Sequence, residues 1–122
     1  MISRYRVVVT TAANGTATAY SRRIAGKIHS IRYVKTDFAD GVDFAITADV
    51  TGENIWTESN VNATADRYPR APTHSQAGVV ALYASGGTGV LEPIAIAGDK
   101  VKIVIAQGGN VKIGTFHILV ET

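Results

Sequence analysis

The sequence predicts an all-β fold, an antiparallel β-sandwich with Greek-key or jelly-roll-like connections and about eight short strands, with residues 1–122 forming one domain. Three observations predict it. Period-two alternation of apolar and polar residues recurs along the chain, and no window of a dozen residues places apolar side chains at helical spacing. The alternating runs are rich in Val, Ile and Thr, the residues that suit a pleated surface. Turn residues separate the runs at intervals of roughly 8–12 residues.

The first strand is expected over Arg4–Thr11, with Tyr5, Val7 and Val9 on one face. Ala13-Asn14-Gly15-Thr16 reads as a hairpin turn, because Asn-Gly supplies the positive φ that a type I′ turn requires, and Thr16–Tyr20 reads as the return strand. That strand is small on both faces, which suits close packing against another strand or another subunit. In Arg23–Lys35, Ile24 and Ile28 share one parity while Ile31 and Tyr33 share the other, so a bulge is expected near His29-Ser30. Lys35–Asp43 reads as a loop. Asp43–Val50 is a clean strand with Phe44, Ile46, Ala48 and Val50 inward, followed by a turn at Thr51–Asn54 and a short strand at Ile55–Thr57.

Glu58–Gln76 is the longest irregular stretch, with Asn60, Asn62, Pro69 and Pro72, and a loop of this length is more often functional than idle. Gly78–Ala84 reads as a strand and Ser85–Gly89 as a glycine-rich connection. Val90–Ile96 is interrupted by Pro93, which lacks a ladder donor and so suggests a broken or edge strand. Ala97–Lys100 reads as a turn, Val101–Ala106 as a strand, Gln107–Asn110 as a tight turn, and Val111–Glu121 as the closing strand with a parity switch at Gly114. The last two strands are expected to pair as a hairpin.

Composition narrows the function. The chain is 46% hydrophobic and 18% charged, which is globular rather than disordered. It has no cysteine, which removes disulfides, thiol nucleophiles and Cys-based zinc sites together. No apolar run approaches the roughly 20 residues that span a bilayer, so no membrane is expected as a partner. The first residues lack the apolar region of a signal peptide, which points to synthesis in a cytoplasm.

Charge is separated along the chain. Arg4, Arg6, Arg22, Arg23, Lys27, Arg32 and Lys35 precede the first acid, Asp37; Asp37, Asp40, Asp43, Asp49, Glu53, Glu58 and Asp66 then outnumber Arg67 and Arg70. Folding either pairs these segments within one molecule or leaves oppositely charged faces that attract between subunits.

Catalytic machinery is not legible. There is no Gly-x-Ser-x-Gly elbow, and His29, His74 and His117 are dispersed. Asp37, Asp40 and Asp43 are dense enough for calcium but lack the EF-hand ligand order, and Asp-rich turns commonly just cap backbone. Ser85–Gly89 has neither the helix nor the Lys-Ser/Thr pair of a phosphate loop. A net charge of +2 is modest for a nucleic-acid binder, although arginines interleave with Tyr5, Tyr20 and Tyr33. No enzyme activity, cofactor, metal or nucleic-acid partner is expected.

Two segments, Ala65-Asp66-Arg67-Tyr68-Pro69-Arg70-Ala71-Pro72-Thr73-His74 and Ile94–Phe116 with its Ala97-Gly98-Asp99-Lys100 and Gln107-Gly108-Gly109-Asn110 turns, resemble small structural proteins of tailed bacteriophages. The resemblance covers a quarter to a third of the chain and rests on structural motifs. It implies a non-enzymatic virion component assembled in the host cytoplasm. A capsid decoration or cementing protein leads, and a head or tail accessory is also in view. Its partners would be copies of itself, a trimer among the options, and the major capsid or another virion protein. Arg67, Tyr68, Pro69, Arg70 and His74 of the long loop and Arg4, Arg6, Arg22 and Arg23 of the basic segment are the candidate interface. Two alternatives stay open: a tail or receptor-binding accessory, and a ligand- or carbohydrate-binding sandwich in which Trp56 and the tyrosines form an exposed platform.

Overall fold

The computed structural model describes residues 1–122. Eight antiparallel strands and no helix make up the chain: β1 (Ile2–Thr10), β2 (Ala17–Lys35), β3 (Asp43–Ala48), β4 (Asn54–Glu58), β5 (Ala65–Arg67), β6 (Arg70–Pro72), β7 (Leu91–Ala106) and β8 (Ile113–Glu121). Their order in the sheet is β1-β8-β2-β7-β3-β4, with β5 beside β2 and β6 beside β7.

The sheet curls over on itself, with β1 and β4 left as its two ends. Strands about 4.8 Å apart would place β8 and β3, three steps apart in the order, about 14 Å from each other in a flat sheet. The rings of Phe116 on β8 and Phe44 on β3 instead lie 5.0 Å apart, centre to centre. Trp56 on β4 reaches Phe116 as well, at 6.4 Å. Two strands make the curl possible by being long: β2 has 19 residues and β7 has 16. The first half of β2 pairs with β7 (Ala17 opposite Ile105 to Ile28 opposite Ile94), and the second half pairs with β8 (Lys27 opposite Glu121 to Lys35 opposite Gly114).

Bulges bend these strands where the sequence allows it. Between Ile28 and Ser30 the register slips, which moves Ile28 and Ile31 onto the same buried face, as the parity switch at His29-Ser30 predicts. Ser21 and Arg22 together face one residue of β7, Val101. The Val101 N–H, left without a backbone acceptor there, donates to buried Ser21 Oγ at 2.9 Å. Ala97–Lys100 is not a turn. It continues β7 through a bulge in which Gly98, at φ +61°, stands unpaired between Ala97 and Asp99. A left-handed glycine serves a turn and a bulge equally well, so the tetrapeptide alone does not separate them.

The core is a single cluster of 22 buried residues. Tyr33, Phe38, Phe44, Trp56 and Phe116 form its aromatic centre. Phe38 and Val42 enter it from the connection between β2 and β3. Gly114 is not a parity switch: it keeps the inward parity of Phe116, and a Cβ there would overlap the Phe38 ring. Val50, expected inward, is 78% exposed because β3 ends at Ala48 and the chain turns.

Two expected hairpins do not form. β1 pairs with β8 and not with β2, although the Ala12–Thr16 loop between them closes locally through Ala12 N–H to Thr16 O. That loop is held by the β7–β8 connection, where Gly108 N–H donates to Gly15 O. β7 and β8 are likewise separated by β2. Gly78–Ala84 is not a regular strand but carries isolated bridges, His74 with Val80 and Leu82 with Gly89.

Candidate interaction surfaces

Two surfaces stand apart from this body. The first is the outer face of β1, β8, β2 and β5. Register sets Arg6 beside His117, His117 beside Arg32 and Arg32 beside Asp66 in one row across four strands. Arg4 lies beside Leu119 in the next row. Arg32 donates to Asp66 at 2.7 Å. Arg4, Arg6 and Arg22 line one depression with Ser3 and Tyr5, and none of these arginines forms an ion pair. Burial and then the charges of Arg4, Arg6 and Arg32 hold the His117 imidazole below its ordinary pKa, so it is neutral at pH 7. Its Nδ1 is buried without a hydrogen-bond partner.

The charge separation along the chain is therefore only partly neutralised inside the molecule. Arg32 and Lys35 find Asp66 and Asp40. Arg4, Arg6, Arg22, Arg23 and Lys27 find no carboxylate, and Arg23 donates instead to Gly98 O at 2.6 Å. The acids of the Asp37–Asp43 loop are occupied separately. Asp37 accepts Ile113 N–H, Asp40 holds Lys35, and Asp43 accepts Asn60 N–H and Gln107 Nε2–H. They do not converge on a common point.

The second surface is an arm. Between Pro69 and Ile94 no residue is buried. The arm leaves the body through β6 paired with β7 (Arg70 opposite Pro93 to Pro72 opposite Leu91). Beyond that, backbone hydrogen bonds fold it into a small meander: Ala81 N–H to Thr73 O, Val90 N–H to Ala81 O and Tyr83 N–H to Thr88 O. Val79, Val80, Leu82, Tyr83 and Leu91 are all exposed on it. No Asp, Glu, Lys or Arg occurs between Arg70 and Glu92. Loss of charge together with exposed aliphatic and aromatic side chains is the composition of an interface centre, not of ordinary surface.

The residues singled out from the sequence fall into different roles. Arg67 grips Glu58 with two parallel hydrogen bonds, 2.8 and 2.9 Å, and lies 5.6 Å from the Trp56 ring centre. Trp56 Nε1–H also donates to Glu58, at 3.0 Å. These bonds hold the Glu58 carboxyl below its usual pKa, the Arg67 hydrogen bond first. Arg67 thus clamps the end of β4 over the core. Pro69 is buried. Arg70 donates to His29 O at 3.1 Å and fastens the base of the arm. Tyr68 is 60% exposed, edge-on to His29, and His74 is exposed on the arm. Arg4, Arg6, Arg22 and Arg23 are exposed.

Trp56 is buried in the core, so it offers no platform for a sugar ring. A Ser–His hydrogen bond exists, Ser30 Oγ to His29 Nδ1 at 3.0 Å, but no carboxylate bonds the other ring nitrogen. Sequence reasoning missed Val79, Val80, Leu82, Tyr83 and Leu91; the signal available was the absence of charge from Ala71 to Leu91.

No protein-family model matches the chain, and no curated protein matches its sequence.

Proposed function

We propose that the protein is a non-enzymatic structural subunit that assembles with copies of itself, and that it serves as a decoration or cementing component of a tailed-bacteriophage particle. The observation that carries self-assembly is the arm: from Ala71 to Leu91 it has no Asp, Glu, Lys or Arg, and its large apolar side chains Val79, Val80, Leu82, Tyr83 and Leu91 stay exposed. An isolated subunit leaves Val79, Val80, Leu82, Tyr83 and Leu91 in water, and a neighbouring copy removes them from it. The phage context rests on the resemblance of the Ala65–His74 and Ile94–Phe116 segments, the first at the arm's root and the second running from the strand that carries it into β8. A fold with a tightly packed body and an uncovered arm suits a subunit that repeats on a symmetric particle.

Immunogold labelling of phage particles from a lysate that contains this chain tests the reading. Regularly spaced label on the particle is the expected result. A chain that stays in the particle-free fraction contradicts it.

A further inference from the structure

The outer edge of β1 offers a second surface, independent of the arm. β1 ends the strand order, so one of its two edges is unpaired. Its ladder with β8 fixes which residues face that edge. Met1 and Thr122 exchange hydrogen bonds, and Thr11 N–H donates to Lys112 O. In an antiparallel ladder the bonded residues alternate, so the odd positions of β1 point their backbone groups at β8. Ile2, Arg4, Arg6, Val8 and Thr10 therefore direct their N–H and C=O groups away from β8. Ala12 confirms the phase, since its N–H turns away from β8 to Thr16 O.

The residues with free backbone groups are also those with exposed side chains, among them Arg4 and Arg6. Arg22 joins them in one depression with no carboxylate. We infer that this edge accepts an extended acidic segment of another protein, which adds as a strand beside β1 and sets alternate carboxylates against Arg4, Arg6 and Arg22. Backbone pairing supplies the affinity, and the guanidinium forks select carboxylates. The same arginines repel a second β1 edge, so the edge is guarded against pairing with itself. A second copy is a poor donor of such a strand: β3, which opens at Asp43 with Asp49 just past its end, is paired on both edges by β4 and β7, and on the other edge strand, β4, the Glu58 carboxylate is already held by Arg67 and Trp56.

Fluorescence anisotropy with a labelled peptide of alternating Glu and Thr, about ten residues long, tests this on the full chain. The wild-type protein is expected to bind it. Arg4→Glu with Arg6→Glu is expected to weaken binding about tenfold or more while circular dichroism stays unchanged. The same peptide with alternate backbone nitrogens methylated, which cannot extend a ladder, is expected not to bind. No binding by wild type overturns the proposal. Equal binding of the methylated peptide overturns it too, since charge alone then suffices. Tighter binding of a short DNA duplex than of the acidic peptide assigns the face to nucleic acid and also overturns it.

Discussion

The body and the arm use the same kinds of residue to opposite ends. In the body, Val, Ile and aromatic side chains alternate with polar ones, and the alternation is spent on one face: Phe116, Ile118 and Val120 of β8 are buried while Thr115, His117 and Leu119 look outward. In the arm, Val79, Ala81 and Tyr83 alternate with Val80 and Leu82, and neither set is covered. Aromatic rings of the core centre each lie against two to four others, and Phe44 lies against Tyr33, Phe38, Trp56 and Phe116. Tyr83 in the arm is 75% exposed. The difference separates two roles: the body carries the buried core, and the arm, with none of its residues buried, is free for the assembly role proposed for it.

That separation makes graded predictions. The largest effect belongs to the aromatic centre. Phe116→Ala should cost about 3–5 kcal/mol in urea unfolding, because it removes a fully buried ring that strands from both halves of the sheet share. Gly114→Ala comes next, at about 1–3 kcal/mol, since its new methyl meets the Phe38 ring. A cost near zero for either would break the claim that the body is closed around these residues.

The clamp at the end of β4 gives a smaller, pH-dependent effect. The Glu58 pKa is depressed in the folded state, so its contribution is present above the unfolded carboxylate pKa, about 4.3, and is lost as pH falls through the folded value. Glu58→Gln should therefore flatten the acid limb of the stability curve measured by thermal melts, and should leave assembly unchanged. Both partners are about a third or more exposed, so the effect is a fraction of that of Phe116→Ala. The smallest effect belongs to the arm: Leu82→Ala should shift the unfolding free energy of the dissociated subunit by less than about 0.5 kcal/mol. A loss comparable to a core truncation would place the arm in the folding unit and erase the contrast.

The sequence made local features legible and left long-range ones hidden. The alternation Phe44, Ile46, Ala48 gives β3, and the change of parity between Ile28 and Ile31 gives the bulge, because both are set by neighbours in the chain. The separation of β7 from β8 by β2 is not written locally: two alternating runs joined by Gln107–Asn110 look like a hairpin whichever strand lies between them. Arg67 shows the same limit in the candidate site. Among prolines and a tyrosine it reads as an interface arginine, but its partner Glu58 lies nine positions earlier across a loop. The arm was hidden for a different reason. Alternation marks a strand with one buried face, and in Val79–Tyr83 it occurs with no buried face at all.

The central claim is that the arm holds copies of this chain together, and solution mass by light scattering tests it most directly. The wild-type protein should give a discrete oligomer that persists in high salt, since the exposed apolar stretch between Arg70 and Glu92 has no Asp, Glu, Lys or Arg to screen. Leu82→Asp with Tyr83→Asp should give a monomer. A wild-type chain that is monomeric at every concentration, or a double variant with the wild-type mass, would contradict the account.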